Sequence, residues 1–176
     1  MTEMTEVRGI TLPVPALAAL RSAVLAAPDG QLRLRDAGFA AGGALYDVFA
    51  ERARRQAGRD PASLTLPEFV GELGAFFREQ GWGALETVAA PEAETVALRA
   101  PDWAEADAEP DAPAAYPSCH FPTGVFAGFL ARVAGRPLAV LETRCRAAGD
   151  DRCQFVVGSP PVMDRVWERL RAGADG

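Results

Sequence analysis

Leu138-Ala139-Val140-Leu141-Glu142-Thr143-Arg144-Cys145-Arg146-Ala147-Ala148-Gly149-Asp150-Asp151-Arg152-Cys153-Gln154-Phe155-Val156-Val157 is the stretch that decides the fold. Residues 138–145 and 153–157 are apolar runs rich in β-formers, and the polar turn around 147–151 separates them. That is the pattern of an antiparallel hairpin. The same stretch holds two of the three cysteines, and Cys119 lies upstream. With Glu142 they form the run Cys119-(22 residues)-Glu142-x-x-Cys145-(7 residues)-Cys153. Three thiolates and a carboxylate make a complete four-ligand set for zinc.

Working back from the hairpin, Pro117-Ser118 opens a helix to about residue 134, with Phe121, Val125, Phe129 and Leu130 inward and Gly135 as its stop. Cys119 then falls in the first helical turn, where the dipole and free amides favour a thiolate. Cys145 and Cys153 flank the hairpin turn. Glu142 and Cys145 are the awkward pair: at a three-residue offset a regular strand points them to opposite faces. A bulge or an early strand end is required if both are to reach one site.

Other readings of the same residues stay open at this point. Free cysteines often pack as small buried hydrophobes. Cys145 and Cys153 could form a cross-strand disulfide, which a reducing compartment disfavours. His120, the one histidine, could replace Glu142 as a ligand.

Further upstream, residues 102–117 are rich in Ala, Asp, Glu and Pro and read as an exposed loop. Residues 84–90 and 95–100 read as two strands joined by Pro91-Glu92-Ala93-Glu94. Before them, Thr65 caps a helix with Pro67 and Glu68 in its first turn and Phe69, Leu73 and Phe76 on one face, ending near Gly81-Trp82-Gly83. A helix over 34–57 carries small residues that permit close approach of a partner, and an Ala-rich helix over 16–27 stops at Pro28-Asp29-Gly30. Downstream, Pro160-Pro161 starts a C-terminal helix through Arg171. The order predicts an α+β fold with an antiparallel sheet of about four strands, the N-terminal helices and a central helix packed on it. Residues 1–12 are expected to be a flexible lead-in and 13–173 a single domain.

Composition excludes several functions. A net charge of −6 offers no basic face for nucleic acid. No stretch is apolar for long enough to cross a bilayer. The acidic N-terminus lacks signal-peptide features, and an odd number of cysteines argues against a secreted disulfide framework, so a cytoplasmic location is expected. All 18 basic residues are Arg, and without lysine there is neither a Schiff base nor a Walker-type phosphate loop. No catalytic motif points to an enzyme.

The segment 116–158 resembles the 4-vinyl reductase domain family. The motifs are Cys119 at a helix start, Gly124-Val125-Phe126-Ala127-Gly128, Glu142-Thr143-Arg144-Cys145, and Gly149-Asp150-Asp151-Arg152-Cys153-Gln154-Phe155. The run from Glu72 to Gly83 is similar to the family's stretch before its first strand. In phenol-responsive regulators with such a domain, the Cys, Glu, Cys, Cys set binds zinc beside a pocket for an aromatic effector. The resemblance therefore implies zinc at Cys119, Glu142, Cys145 and Cys153. It also implies a small hydrophobic or aromatic ligand, for which Phe69, Leu73, Phe76, Val96, Leu98, Thr123 and Val140 are the candidate pocket. Trp82 and Trp103 could line an entrance or cap the sheet. A homodimer, through Gly124 and Gly128 or otherwise, and a regulatory protein partner are further implications. The family name suggests an alternative, an accessory or carrier protein for vinyl reduction in bacteriochlorophyll biosynthesis.

Overall fold

The Thr65 cap forms as the sequence predicts. The Glu68 carboxylate accepts the Thr65 N–H and hydroxyl, each at 2.8 Å, in a capping box that starts α3 (Leu66–Glu79). In the computed structural model, which describes residues 12–108 and 114–174, two helices precede it, α1 (Val14–Leu25) and α2 (Gly30–Ala57). Strands β1 (Glu86–Val88) and β2 (Val96–Ala100) follow, then α4 (His120–Ala134), β3 (Ala139–Arg144), β4 (Cys153–Gly158) and α5 (Pro160–Ala174). The four strands form one antiparallel sheet in the order β1-β2-β4-β3, so the fold is α+β as expected. The expected lead-in lies almost wholly outside the described residues.

Side chains alternate across the sheet as strand geometry requires. Leu98, Ala100, Cys153, Phe155 and Val157 face an inner core built with α2, α3 and α4. Ala97 and Val156 face outward, where Met163 and Val166 of α5 cover them in a second, smaller core. The inner core is aromatic. Phe49, Phe76, Phe77, Phe126, Phe129 and Phe155 are each at most 1% exposed, and neighbouring rings meet edge-on or tilted at centroid distances of 5.0 to 6.3 Å.

α4 runs between α2 and the sheet and is buried nearly all round, which its apolar sequence permits. Glycines set how closely α2 and α4 approach. A Cβ on Gly38 would lie 2.1 Å from the Phe121 carbonyl oxygen, and one on Gly42 2.2 Å from that of Val125. Reciprocally, Gly124 and Gly128 meet the carbonyls of Arg35 and Phe39 at 2.0 and 2.1 Å. Gly124 and Gly128 thus serve contact within the chain, and only hydrogen on all four Cα atoms lets these backbones touch.

Three expectations are corrected. α2 starts at Gly30 rather than at 34, because a turn at 26–29 feeds it directly: Gly30 N–H bonds the Ala27 carbonyl at 3.0 Å. Cys119 is the N-cap of α4 rather than part of its first turn. Residues 103–108 are not an exposed loop. Trp103 is fully buried, Ala106–Ala108 is a 3-10 turn, and Ala104 N–H bonds the Trp82 carbonyl at 2.9 Å. Glu105, 1% exposed, pairs at 3.1 Å with Arg21, whose second nitrogen donates to the Ser118 carbonyl at 3.0 Å. Acidic, Ala-rich composition reads as solvent-exposed, and a buried counter-ion on a distant helix reverses that reading. Residues 109–113 lie outside the described part.

Candidate metal centre

The offset between Glu142 and Cys145 is resolved by the backbone. Glu142 pairs with Phe155 and Arg144 with Gln154, so two steps on β3 oppose one on β4. That is a β-bulge, and β3 then ends at Arg144. The bulge lets Glu142, inward from β3, and Cys145, just past the strand end, share one side of the sheet. Cys145 is held there by its N–H donating to Asp150 Oδ2 at 2.8 Å, and its carbonyl accepts from Ala148 and Asp150 across the turn. Gly149, at φ 97°, closes that turn in a conformation that favours glycine.

The ligand atoms of Cys119, Glu142, Cys145 and Cys153 all lie within 4.8 Å of one another, and all four residues are buried. His120, though buried, is not part of this group. The cysteines are not disulfide-bonded. Cys119 Sγ sits 3.8 Å from the sulfurs of both Cys145 and Cys153. Two thiolates held tetrahedrally by one zinc at about 2.3 Å stand about 3.8 Å apart, so the spacing suits such an ion.

Electrostatics point the same way. Glu142 Oε2 accepts the Cys119 N–H at 2.8 Å, which ties the strand to the start of α4. Its Oε1 is buried without a hydrogen-bond partner among the described residues. Burial, and then the negative charge of Cys145, push the Glu142 carboxyl up to about 8. Hydrogen bonding to Cys145 and Cys153, with burial, pushes the Cys119 thiol up, while its bond to Cys119 draws Cys145 down. A buried cation would take up the orphaned oxygen and satisfy several negative groups together. The cluster could therefore hold a metal. Four protein ligands leave a tetrahedral ion no open position for substrate.

The candidate pocket residues are placed as follows. Phe69, Leu73, Phe76 and Leu98 are buried in the inner core, with Val96 and Val140 half-buried against it. Thr123 is buried one turn beyond Cys119, its hydroxyl bonded to the Cys119 carbonyl at 2.7 Å. Trp103 is enclosed by Phe77, Phe126 and Phe155, and Trp82 stacks between Trp103 and Phe121 at 5.8 Å from each. The indole Nε1 of Trp103 is buried with no acceptor among the described residues. Sequence reading singled out neither that orphaned donor nor the Arg21–Glu105 pair. A lone arginine in the otherwise apolar α1 was the available signal.

With the geometry in place, comparison with known proteins locates the chain. Residues 104–159 match the model of the 4-vinyl reductase domain, which bears out the resemblance read from the cysteine and glycine motifs. An uncharacterized protein of Methanocaldococcus jannaschii is 31% identical over 86 residues, 49% of this chain and 50% of its own length. The match thus spans about half of that curated relative. Among solved structures, the phenol-responsive sensory domain of the transcription activator PoxR, determined with phenol, is similar at a TM-score of 0.66 and 18% identity. That alignment covers 86% of this chain and 77% of the other. A trafficking protein particle complex subunit 3 from Naegleria fowleri, covalently bound to palmitic acid, aligns at 0.60 and 16% identity, covering 82% and 93%. A vinyl-4-reductase family protein from Methanocaldococcus jannaschii aligns at 0.55 and 17%, covering 89% and 97%. At these identities the likeness is one of fold.

Proposed function

We propose that this chain is a cytoplasmic, sensory-type module of the 4-vinyl reductase domain class, in which a structural zinc ion at Cys119, Glu142, Cys145 and Cys153 supports an apolar site for a small aromatic molecule. One observation carries the reading: two polar atoms, Glu142 Oε1 and Trp103 Nε1, are buried on the inner side of the sheet with nothing to bind. An unsatisfied buried polar group costs about 1–3 kcal/mol and calls for a functional explanation. Zinc accounts for the first. An aromatic ligand bearing a hydroxyl or other acceptor accounts for the second, because it would trade ring contacts with Phe77, Phe126 and Phe155 and receive the indole hydrogen. The apolar site would extend over Phe69, Leu73, Phe76, Val96, Leu98, Thr123 and Val140. Among similar folds, one is known with phenol and one with palmitic acid. The ion pins α4 to the last hairpin, and the ligand state is passed to a partner protein or a second copy of the chain.

Metal analysis combined with native mass spectrometry tests the first half, with one zinc per chain expected. Thermal shift against phenol, catechol and toluene tests the second. Phenol and catechol should raise the melting temperature more than toluene, which lacks an acceptor. Trp103→Phe should abolish that difference while leaving stability within about 1 kcal/mol, since it removes an unpaired donor and keeps an apolar ring. A protein without metal, and unmoved by all three compounds, would sink the proposal.

A further inference from the structure

The outer side of the sheet carries a pocket that the inner site does not use. It has a volume of about 300 Å³ and is lined by Pro91 and Glu92 of the β1–β2 turn, Thr143 and Arg144 of β3, Gln154 of β4, and Val166, Arg169 and Leu170 of α5. That volume is at the lower end for small-molecule sites. One wall is apolar: Val166 is buried against the outer core, and Leu170 beside it is 44% exposed. The polar wall is unevenly satisfied. Arg169 is committed to an ion pair with Glu92, which is only 15% exposed. Arg144 is not so committed, because its nearest carboxylate oxygen, on Asp150, stands 3.9 Å away, beyond hydrogen-bond reach. Gln154 shares only long contacts of 3.4 Å with Thr143. A forked guanidinium and a side-chain amide thus both line a cavity floored by apolar side chains.

We propose that this pocket is a second ligand site, for a small organic anion: a carboxylate received by Arg144 and Gln154, with a compact apolar body against Val166, Leu170 and Pro91. Arg144 supplies the geometry that matches a carboxylate with two parallel hydrogen bonds. It also supplies local positive charge on a chain of net charge −6, whose overall field repels anions. Glu92 excludes a second anionic group, so the site selects a monoanion. The bulge that brings Glu142 and Cys145 together also places Arg144 at this pocket, giving one strand a different task on each face.

The test is a titration of the full, metal-loaded chain with benzoate and with benzyl alcohol, a neutral molecule of similar size, followed by NMR. The chain has four glutamines and no asparagine, so the Gln154 side-chain amide is one of only four such signals. Benzoate should shift Gln154, Val166 and Leu170 saturably, and benzyl alcohol should bind at least tenfold more weakly. Arg144→Gln should cost benzoate at least tenfold in affinity without changing metal content or melting temperature. Benzoate shifts centred on the Trp103 indole hydrogen instead, equal affinity for the two probes, no saturable shift at the pocket, or an Arg144→Gln variant that still discriminates would each overturn the proposal.

Discussion

The two faces of the sheet are built from the same strands and differ in almost every other respect. The inner face meets α2, α3 and α4 in a thick aromatic core and carries four buried ligand-type side chains at one end. The outer face meets a single amphipathic helix, buries a handful of aliphatic side chains, and leaves a pocket where α5 passes the edge strand. The difference teaches where a fold of this size can keep buried polar groups. Glu142 and the three cysteines are tolerated because the inner layer is deep enough to exclude water, and that exclusion makes their charges demand a counter-ion. On the thin outer layer the polar groups stay partly wet and remain available to an exchangeable ligand.

If this contrast is real, the inner face should fail most severely. Cys145→Ser, or chelation, should release the metal and lower the melting temperature by about 10 °C or more. A tightly held ion contributes about 4 kcal/mol at a thousandfold excess over its Kd, and each kcal/mol is worth about 2–4 °C in a chain of this length. Calorimetry with and without chelator measures it, and an unchanged transition would remove the metal from the account.

Next in size comes the contact between α2 and α4. Gly124→Ala sets a methyl against the Arg35 carbonyl, a backbone atom that cannot swing aside, so the cost should reach the upper end of overpacking, about 3 kcal/mol. Ala at Gly43, where a Cβ meets nothing within 4 Å, is the matched control and should cost nothing or add helix propensity. Urea titration of both variants separates packing from propensity.

The outer core should yield less. Val166→Ala deletes two methyl groups from a small cluster next to an open pocket, where the cavity is partly relieved, and about 1–2 kcal/mol is expected. A loss as large as that from Gly124→Ala would erase the distinction between the faces. The smallest effect belongs to neither face. Arg59, then the Thr65 N–H and hydroxyl, hold the exposed Glu68 carboxyl down to about 2 from an ordinary 4.5. A lowered folded-state value means stability that is present above about 4.5 and lost as pH falls toward 2. Glu68→Gln should therefore flatten that part of the acid unfolding curve and leave the neutral region almost unchanged.

Local chemistry was legible wherever a residue's neighbours in sequence are also its neighbours in space. The Thr65 cap, the hairpin at 138–157, the start of α5 at Pro160 and the need for a bulge between Glu142 and Cys145 all follow from spacings of a few residues. The segment 102–117 was misread because what buries it is remote. Trp103 enters a core assembled from α3, α4 and β4, and the charge on Glu105 is met by Arg21, 84 residues away. The orphaned Trp103 donor was hidden for the same reason, since lacking a partner is a property of surroundings and not of an amino-acid type.

The sequence alone determined which side chains could ligate a metal, that the sheet is antiparallel, and that α4 ends at a glycine, because each depends on residue chemistry and short-range periodicity. Only the tertiary structure decided that the glycines of α4 face α2 within the chain, that the three sulfurs and one carboxylate converge, and that Arg144 lines an open pocket on the far side of the sheet. Those outcomes turn on how layers stack and how closely backbones approach. Such distances are set by the packing of the whole chain at once, and no window of sequence contains them.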